Sequence, residues 1–107
     1  MRKNHITVMR MNDNYSLSVG IKHEKNSITL LKVDNNSIWQ AREGLYRDAQ
    51  TIIDQFKRGF EVKTEFNAFN TTKPVVNEVS LIGFSDAFND MQQQYSKLDH
   101  LDAQRRF

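Results

Sequence analysis

The chain has 107 residues, of which 38% are hydrophobic and 26% are charged, so it can bury one core but not two. It contains no cysteine, which excludes a disulfide framework, thiolate zinc sites and a thiol nucleophile, and predicts a reducing, cytoplasmic location. Fifteen Lys and Arg residues against thirteen Asp and Glu residues leave a net charge of +2, which does not by itself indicate nucleic-acid binding.

No segment resembles a targeting or membrane-spanning sequence. The N-terminal residues become alternating rather than continuously apolar, unlike the apolar region of a signal peptide. No stretch approaches the roughly 20 apolar residues that cross a bilayer. We therefore expect a soluble protein with no membrane partner.

The first third of the chain is predicted to form three strands. Residues 6–11 and 15–23 alternate between apolar and polar side chains, and Asn12, Asp13 and Asn14 between them supply the backbone freedom of a tight turn. Residues 24–26 form the next turn and lead into a third strand over residues 27–33. We expect the three strands to pair in sequence as an antiparallel meander.

A helix is predicted to follow the meander. Ser37, with Gln40 three residues later, matches the capping box of a helix start. Gly59 is expected to close the helix in the left-handed conformation. Between them, apolar residues follow the three-and-four spacing of one helical face: Leu45, Ala49, Ile52, Ile53, Phe56 and Phe60.

Two further strands and a second helix complete the predicted order. Residues 61–68 alternate, and residues 70–74 form a turn. Residues 75–82 fit either a strand or a helical face, and we favour the strand because the segment begins with two valines. Ser85 and Asp86 are suited to the start of a helix that covers roughly residues 85–101.

These elements predict an α+β fold in the order β-β-β-α-β-β-α. An antiparallel β-sheet, made of the three-stranded meander plus two further strands, would carry both amphipathic helices on one face. Residues 1–101 form a single compact domain in this prediction, and residues 102–107 a frayed C-terminal tail.

The second helix offers an alternative use for its apolar face. A spacing of three and four residues resembles a coiled-coil seam and could join two copies of the chain, although packing on the protein's own sheet is favoured because the seam is short. The residues of this homodimer alternative are Leu81, Phe84, Phe88, Met91, Tyr95 and Leu98.

The sequence contains no recognisable catalytic, metal or cofactor motif. His5, His23 and His100 lie on separate predicted elements without the spacing of metal ligands. The four glycines are isolated and match no phosphate-binding loop. We therefore predict no enzyme activity, no metal and no cofactor, and we expect a small binding protein such as an adaptor, inhibitor or regulator whose partner is another protein. A further alternative is a small enzyme whose site is assembled from distant elements around His23 or His100.

One local cluster indicates where such a partner could bind. On a helical wheel Arg42 falls within the apolar stripe, and Trp39 and Tyr46 flank it. Tryptophan, tyrosine and arginine are the residue types that concentrate binding energy at interfaces. Trp39, Arg42 and Tyr46 are therefore the predicted binding residues, and the alternative is that Arg42 extends past the edge of the core into solvent.

The alternative function is that of a nucleic-acid-binding accessory protein of the kind found in phages and mobile elements. A three-stranded sheet followed by a helix can present strands and a helix to a duplex. Phosphate contacts would then come from the meander, through Arg10, Lys22, Lys25 and Lys32. The near-neutral charge favours the protein-binding hypothesis over this one.

Overall fold

A computed structural model describes residues 2–3, 5–20 and 22–98 of the chain. Eight strands and two helices follow one another: β1 (Arg2–Lys3), β2 (Ile6–Met11), β3 (Asn14–Val19), β4 (Ile28–Val33), β5 (Trp39–Arg42), β6 (Leu45–Tyr46), α1 (Gln50–Arg58), β7 (Glu61–Phe66), β8 (Val75–Ser80) and α2 (Phe84–Leu98). The predicted α+β class and the order of the main elements are confirmed. Residues 75–80 form a strand, as favoured.

The strands form two antiparallel four-stranded sheets rather than one. Sheet 1 has the order β1-β2-β3-β6, and sheet 2 has the order β5-β4-β7-β8. The hairpin of β2 and β3 turns at Asn12 and Asp13, where Asn12 has a φ of 57°, and Val8 pairs with Leu17 across it. The Asn-rich turn was therefore predicted correctly.

The predicted meander is wrong in its third strand. β4 does not pair with β3, because it crosses to sheet 2 and lies between β5 and β7, with Leu31 opposite both Trp39 and Thr64. The second neighbour of β3 in sheet 1 is β6 instead, and Leu17 pairs there with Tyr46. Alternation of side chains predicts a strand but does not determine its partner, which here depends on the wider packing.

The predicted helix start at Ser37 is also wrong. Trp39–Arg42 pairs with β4 as strand β5, and this pairing prevails over the local capping pattern. Glu43 and Gly44 then form a two-residue turn with φ values of 51° and 76°, which no right-handed helix can contain. A Cβ atom on Gly44 would lie 2.1 Å from the Val19 carbonyl oxygen, so this turn requires glycine.

Helix α1 is shorter than predicted. Ile52, Ile53 and Phe56 are buried as expected, whereas Leu45 lies on β6 and Phe60 lies beyond the helix, both exposed. Gly59 ends the helix in an extended conformation, with φ −93° and ψ 171°, so the predicted left-handed cap is wrong. The glycine serves close packing instead, since a Cβ atom there would lie 2.6 Å from Val33 Cγ1.

Helix α2 contributes its apolar face to the chain's own core. Of the residues in the homodimer alternative, four are buried within the chain: Leu81, Phe84, Phe88 and Met91. They would have to leave the core to join two copies. The side chains of Tyr95 and Leu98, like the predicted tail at residues 102–107 and the last residues of the predicted helix, lie outside what the structure describes.

A single apolar core joins the two sheets and the two helices. The helices touch through Phe56 and Phe84, whose ring centroids are 5.3 Å apart, and α2 reaches β3 where Phe88 meets Tyr15 at 5.6 Å. Both sheets direct one face inward, with Leu17 and Leu31 fully buried on either side. Among the described helices, none has the length and apolar character needed to cross a membrane.

Candidate functional site

The predicted binding residues Trp39, Arg42 and Tyr46 do not form a common surface. Trp39 is half-buried and donates from Nε1 to Gln55 Oε1 at 3.0 Å. Arg42 is exposed on the opposite face of β5, because three residues along a strand reverse the side-chain direction. Their apparent neighbourhood came from a helical wheel, and the segment is a strand.

The hydroxyl of Tyr46 forms hydrogen bonds inside the protein. Its hydroxyl donates to the Thr29 carbonyl oxygen at 2.9 Å and lies 3.2 Å from that of Trp39. Burial raises the pKa of the Tyr46 hydroxyl well above its usual value. The side chain links β6 of sheet 1 to β4 of sheet 2, which is a structural task.

The four predicted phosphate contacts are dispersed. Arg10 lies on the inner face of sheet 1, where its guanidinium donates to the Asn12 carbonyl oxygen at 2.8 Å and to Gln92 Oε1 at 2.9 Å. Lys32 lies on the outer face of sheet 2, opposite Lys63. Lys22 and Lys25 are exposed in the connection between β3 and β4. The structure therefore does not gather Arg10, Lys22, Lys25 and Lys32 into one basic patch.

His5 and His23 pack against an aromatic ring. Their ring centroids lie 5.9 Å and 4.9 Å from that of Phe66, and Nε2 of His23 lies 2.5 Å from the Val19 carbonyl oxygen. In the part of the chain that the structure describes, no group of three potential ligands could hold a metal ion. His100 lies outside that part.

The most distinctive feature is an apolar pocket of about 300 Å³ between the two sheets. Strands β2, β7 and β8 and both helices contribute residues to its lining. We call this feature the pocket; its lining residues are Ile6, Val8, Phe56, Val62, Val79, Ser80, Leu81, Ile82, Gly83, Phe84 and Ala87. Since Ser80 is the only polar side chain among them, the pocket is suited to burial of an apolar group.

Two large apolar residues at the pocket are strongly exposed, and we call them the rim: Ile82, which lines the pocket, and Phe60, whose carbonyl oxygen is bound by the pocket residue Leu81. Phe60 is 77% exposed and Ile82 is 81% exposed, the two highest values among the exposed large apolar residues. They lie on neighbouring segments, because the Leu81 amide donates to the Phe60 carbonyl oxygen at 2.9 Å. An ordered surface that exposes such side chains next to an apolar pocket is typical of an interaction site.

The rim segment is held in place by a carboxylate. Asp34 accepts hydrogen bonds from the Phe60 amide at 3.0 Å and from the Glu61 amide at 3.1 Å. The backbone amide of Asp34 also donates to the Glu61 carbonyl oxygen, at 3.0 Å. Phe60 is therefore exposed on an anchored backbone, which lowers the entropy lost when a partner binds.

Exposed charges of both signs lie on the segments next to the pocket, including Arg58 two residues before Phe60. Asp86 and Asp90 lie on the solvent side of α2, before and after Ala87, which lines the pocket. Glu78 on β8 lies 3.3 Å from Lys63, and the Lys57 ammonium lies 4.4 Å from the centroid of the Phe88 ring. Among the described side chains of α2 and β8 there is no lysine or arginine.

The pocket and its rim were missed by sequence reasoning. Helical spacing assigns Phe60 to the core face of the predicted helix, and the predicted strand over residues 75–82 ends at Ile82. One signal was available, since Phe60 follows Gly59, which was expected to end the helix. Comparison with family models, curated proteins and solved structures finds no match to this chain.

Proposed function

We propose that this protein is a small binding module that takes up an apolar side chain of another protein in the pocket. The observation that carries the proposal is the position of Phe60 and Ile82, both more than three-quarters exposed, beside an apolar pocket of about 300 Å³. The volume lies at the lower end of the usual range for small-ligand sites and suits a single side chain.

The energetics favour an anchor residue surrounded by rim contacts. Full burial of a leucine or phenylalanine side chain contributes about 1.5–3 kcal/mol, and the partner would also cover the exposed rim side chains. Anchors of this kind dominate the affinity of many interfaces, while the surrounding contacts exclude water. The absence of cysteine is compatible with action in a reducing compartment, and we place this function in the cytoplasm.

Selection from a displayed library of short random peptides tests the proposal. We expect enriched peptides to share an apolar residue, and we expect Ile82→Ser and Phe60→Ser to weaken their binding about ten-fold or more, which corresponds to about 1.4 kcal/mol. Ala87→Leu should weaken it as well, because the larger side chain fills the mouth of the pocket while both residues favour a helix.

Matched controls lie elsewhere on the same chain. Ile38 is 54% exposed and Phe69 is 61% exposed, and neither lines the pocket. Ile38→Ser and Phe69→Ser should leave peptide binding within about two-fold of the wild type, since each removes the same side-chain type from another surface. If no peptide is enriched, or if the rim and control variants bind alike, the proposal is wrong.

A further inference from the structure

The pocket is a volume that the described side chains of the chain leave unfilled. The lining residues that are buried are all apolar, and we call them the inner lining: Ile6, Val8, Phe56, Val62, Val79, Leu81 and Phe84. The remaining lining residues are exposed, and we call them the outer lining: Ser80, Ile82, Gly83 and Ala87. A molecule that enters past the outer lining therefore comes to rest against a buried apolar surface.

An unfilled apolar volume favours a ligand that fills it. Atoms that line a void lack dispersion partners on one side, and this loss destabilises a core. Water that enters finds no side-chain hydrogen-bond partner among the described residues of the inner lining. A small apolar molecule gains contacts there that water cannot provide, so its transfer from solvent is favourable.

The ligand must be uncharged. A charged group that leaves water for an apolar site costs far more than its contacts return, because the inner lining supplies no counter-charge. In the outer lining the hydroxyl of Ser80 already accepts the Ile82 amide at 3.2 Å. The exposed charges on neighbouring segments include both Arg58 and the pair Asp86 and Asp90, so they favour neither an anion nor a cation.

The volume of the pocket defines the size of the ligand. An engineered apolar cavity of about 150 Å³ in another protein takes up a single benzene ring. The pocket, at about 300 Å³, has about twice that volume. A bicyclic ring system therefore fits, whereas a single ring would leave part of the inner lining without contacts.

The rings of the inner lining favour an aromatic ligand. Phe56 and Phe84 lie edge to face, with centroids 5.3 Å apart and an interplanar angle of 83°. An aromatic ligand beside them gains ring–ring interactions in addition to the burial of its surface. A fused ring system also has no rotatable bonds to immobilise, whereas a flexible acyl chain of similar volume loses conformational freedom on entry.

We infer that the pocket binds a free small molecule, an uncharged bicyclic aromatic compound, in the place that the side chain of a partner protein would take. This binding goes beyond the proposed function, because the molecule needs no partner protein. A second consequence does rest on the proposed function: the molecule and the partner's side chain exclude each other, so the molecule regulates that interaction.

Titration of the full chain with indole, followed by the methyl resonances in NMR spectra, tests the inference. We expect a dissociation constant on the order of 1 mM or below, and shifts centred on the methyl groups of the inner lining. Purine has the same fused shape but more ring nitrogens, which would lose their hydrogen bonds with water. Purine should therefore bind about ten-fold more weakly or less, and benzene should bind more weakly than indole because it fills less of the pocket.

Two leucine substitutions on one helix provide the matched variants. Ala87 and Asn89 are both exposed on α2, but only Ala87 lines the pocket. Leucine favours a helix at either position, so both variants should fold. Ala87→Leu takes up part of the volume and should weaken indole binding about ten-fold, whereas Asn89→Leu should stay within about two-fold of the wild type.

Competition with a peptide tests the second consequence. Indole at about ten times its own dissociation constant should weaken the binding of the most enriched library peptide about ten-fold, because only the unoccupied pocket is available to the peptide. A peptide affinity that indole leaves unchanged would show that the two ligands do not share the pocket, and the regulatory part of the inference would be wrong.

The outcomes separate this inference from the proposed function. If indole shifts the inner-lining methyl groups but no library peptide is enriched, the inference stands and the proposed function is wrong. If peptides bind but indole causes no such shifts, the inference is wrong and the proposed function stands. Equal binding of purine and indole, equal effects of Ala87→Leu and Asn89→Leu, or shifts centred on the exposed residues Ile28 and Ile38 would also overturn the inference.

Discussion

The hydroxyl of Tyr46 donates to the carbonyl oxygen of Thr29 across a distance of 2.9 Å, and this bond joins the two sheets. Tyr46 belongs to β6 of sheet 1 and Thr29 to β4 of sheet 2. Both side chains are buried, so neither group has water as an alternative partner. The bond therefore connects the two sheets within the core.

Removal of this hydroxyl should destabilise the protein. Tyr46→Phe keeps the ring in the core but leaves the Thr29 carbonyl without this donor, and we expect the free energy of unfolding to fall by about 1–2 kcal/mol. Denaturant unfolding followed by fluorescence measures the change. Tyr15→Phe is the comparison and should cost less, because the bond that the Tyr15 hydroxyl accepts from Gln92 is only part-buried. An unchanged denaturation midpoint for Tyr46→Phe would contradict the assigned role.

Alkaline pH should destabilise the protein through the same residue. Burial raises the pKa of Tyr46 in the folded state, so the folded protein retains a proton that the unfolded chain loses above about pH 10. The stabilising contribution is complete below the unfolded pKa and decreases above it, by about 1.4 kcal/mol per pH unit. The free energy of unfolding, measured from pH 9 to 11, should therefore fall less steeply for Tyr46→Phe than for the wild type. Equal slopes would contradict the linkage.

Substitution of Thr64 by an apolar residue is expected to stabilise the protein. Its hydroxyl is buried and has no hydrogen-bond partner among the described residues, between Leu31 and Asn77 in the sheet. Thr64→Val replaces it with a methyl group of similar size and should raise the free energy of unfolding by about 1 kcal/mol. Thr51→Val, at an exposed position of α1, should change it by less than about 0.5 kcal/mol. A less stable Thr64→Val would indicate an unseen partner for the hydroxyl.

Asp34 should affect binding through the rim. Asp34→Ala removes the acceptor of the Phe60 and Glu61 amides, so the segment that carries Phe60 gains freedom it must lose on binding. We expect library peptides to bind about three- to ten-fold more weakly, since ordering one side chain and its backbone costs about 1 kcal/mol. Isothermal titration calorimetry measures this effect. Asn35→Ala, at the exposed neighbouring position, serves as the control and should bind as the wild type does.

The parts of the fold that depend on local pattern were predictable. The β2–β3 hairpin follows from alternation and an Asn-rich turn, and α2 follows from a spacing of three and four residues together with Asp86 in its first turn. The cap at Ser37 failed because helix signals at residues 37–40 compete with pairing to β4, and only the folded chain decides between them. The change of sheet at β4 is likewise set by packing between distant segments.

The candidate site depends on geometry that no local pattern contains. Ile6 and Val79 both line the pocket, although one comes from the start of the chain and the other from its last strand. Phe60 would be a core residue by spacing alone, and the end of α1 before Gly59 is what exposes it. Trp39, Arg42 and Tyr46 were grouped by a helical period that the segment does not adopt.

The pairing of β4 with β7 also determines the order in which the molecule can assemble. The β2–β3 hairpin joins residues on either side of a short turn, whereas Val33 of β4 pairs with Val62 of β7 across an intervening stretch that contains β5, β6 and α1. Closing such long loops is slow compared with forming a local hairpin. During synthesis sheet 1 can begin to form early, but sheet 2 cannot be completed before residue 80 has emerged. The surface that we propose for binding is therefore completed late, so a nascent chain would not present it before it has folded.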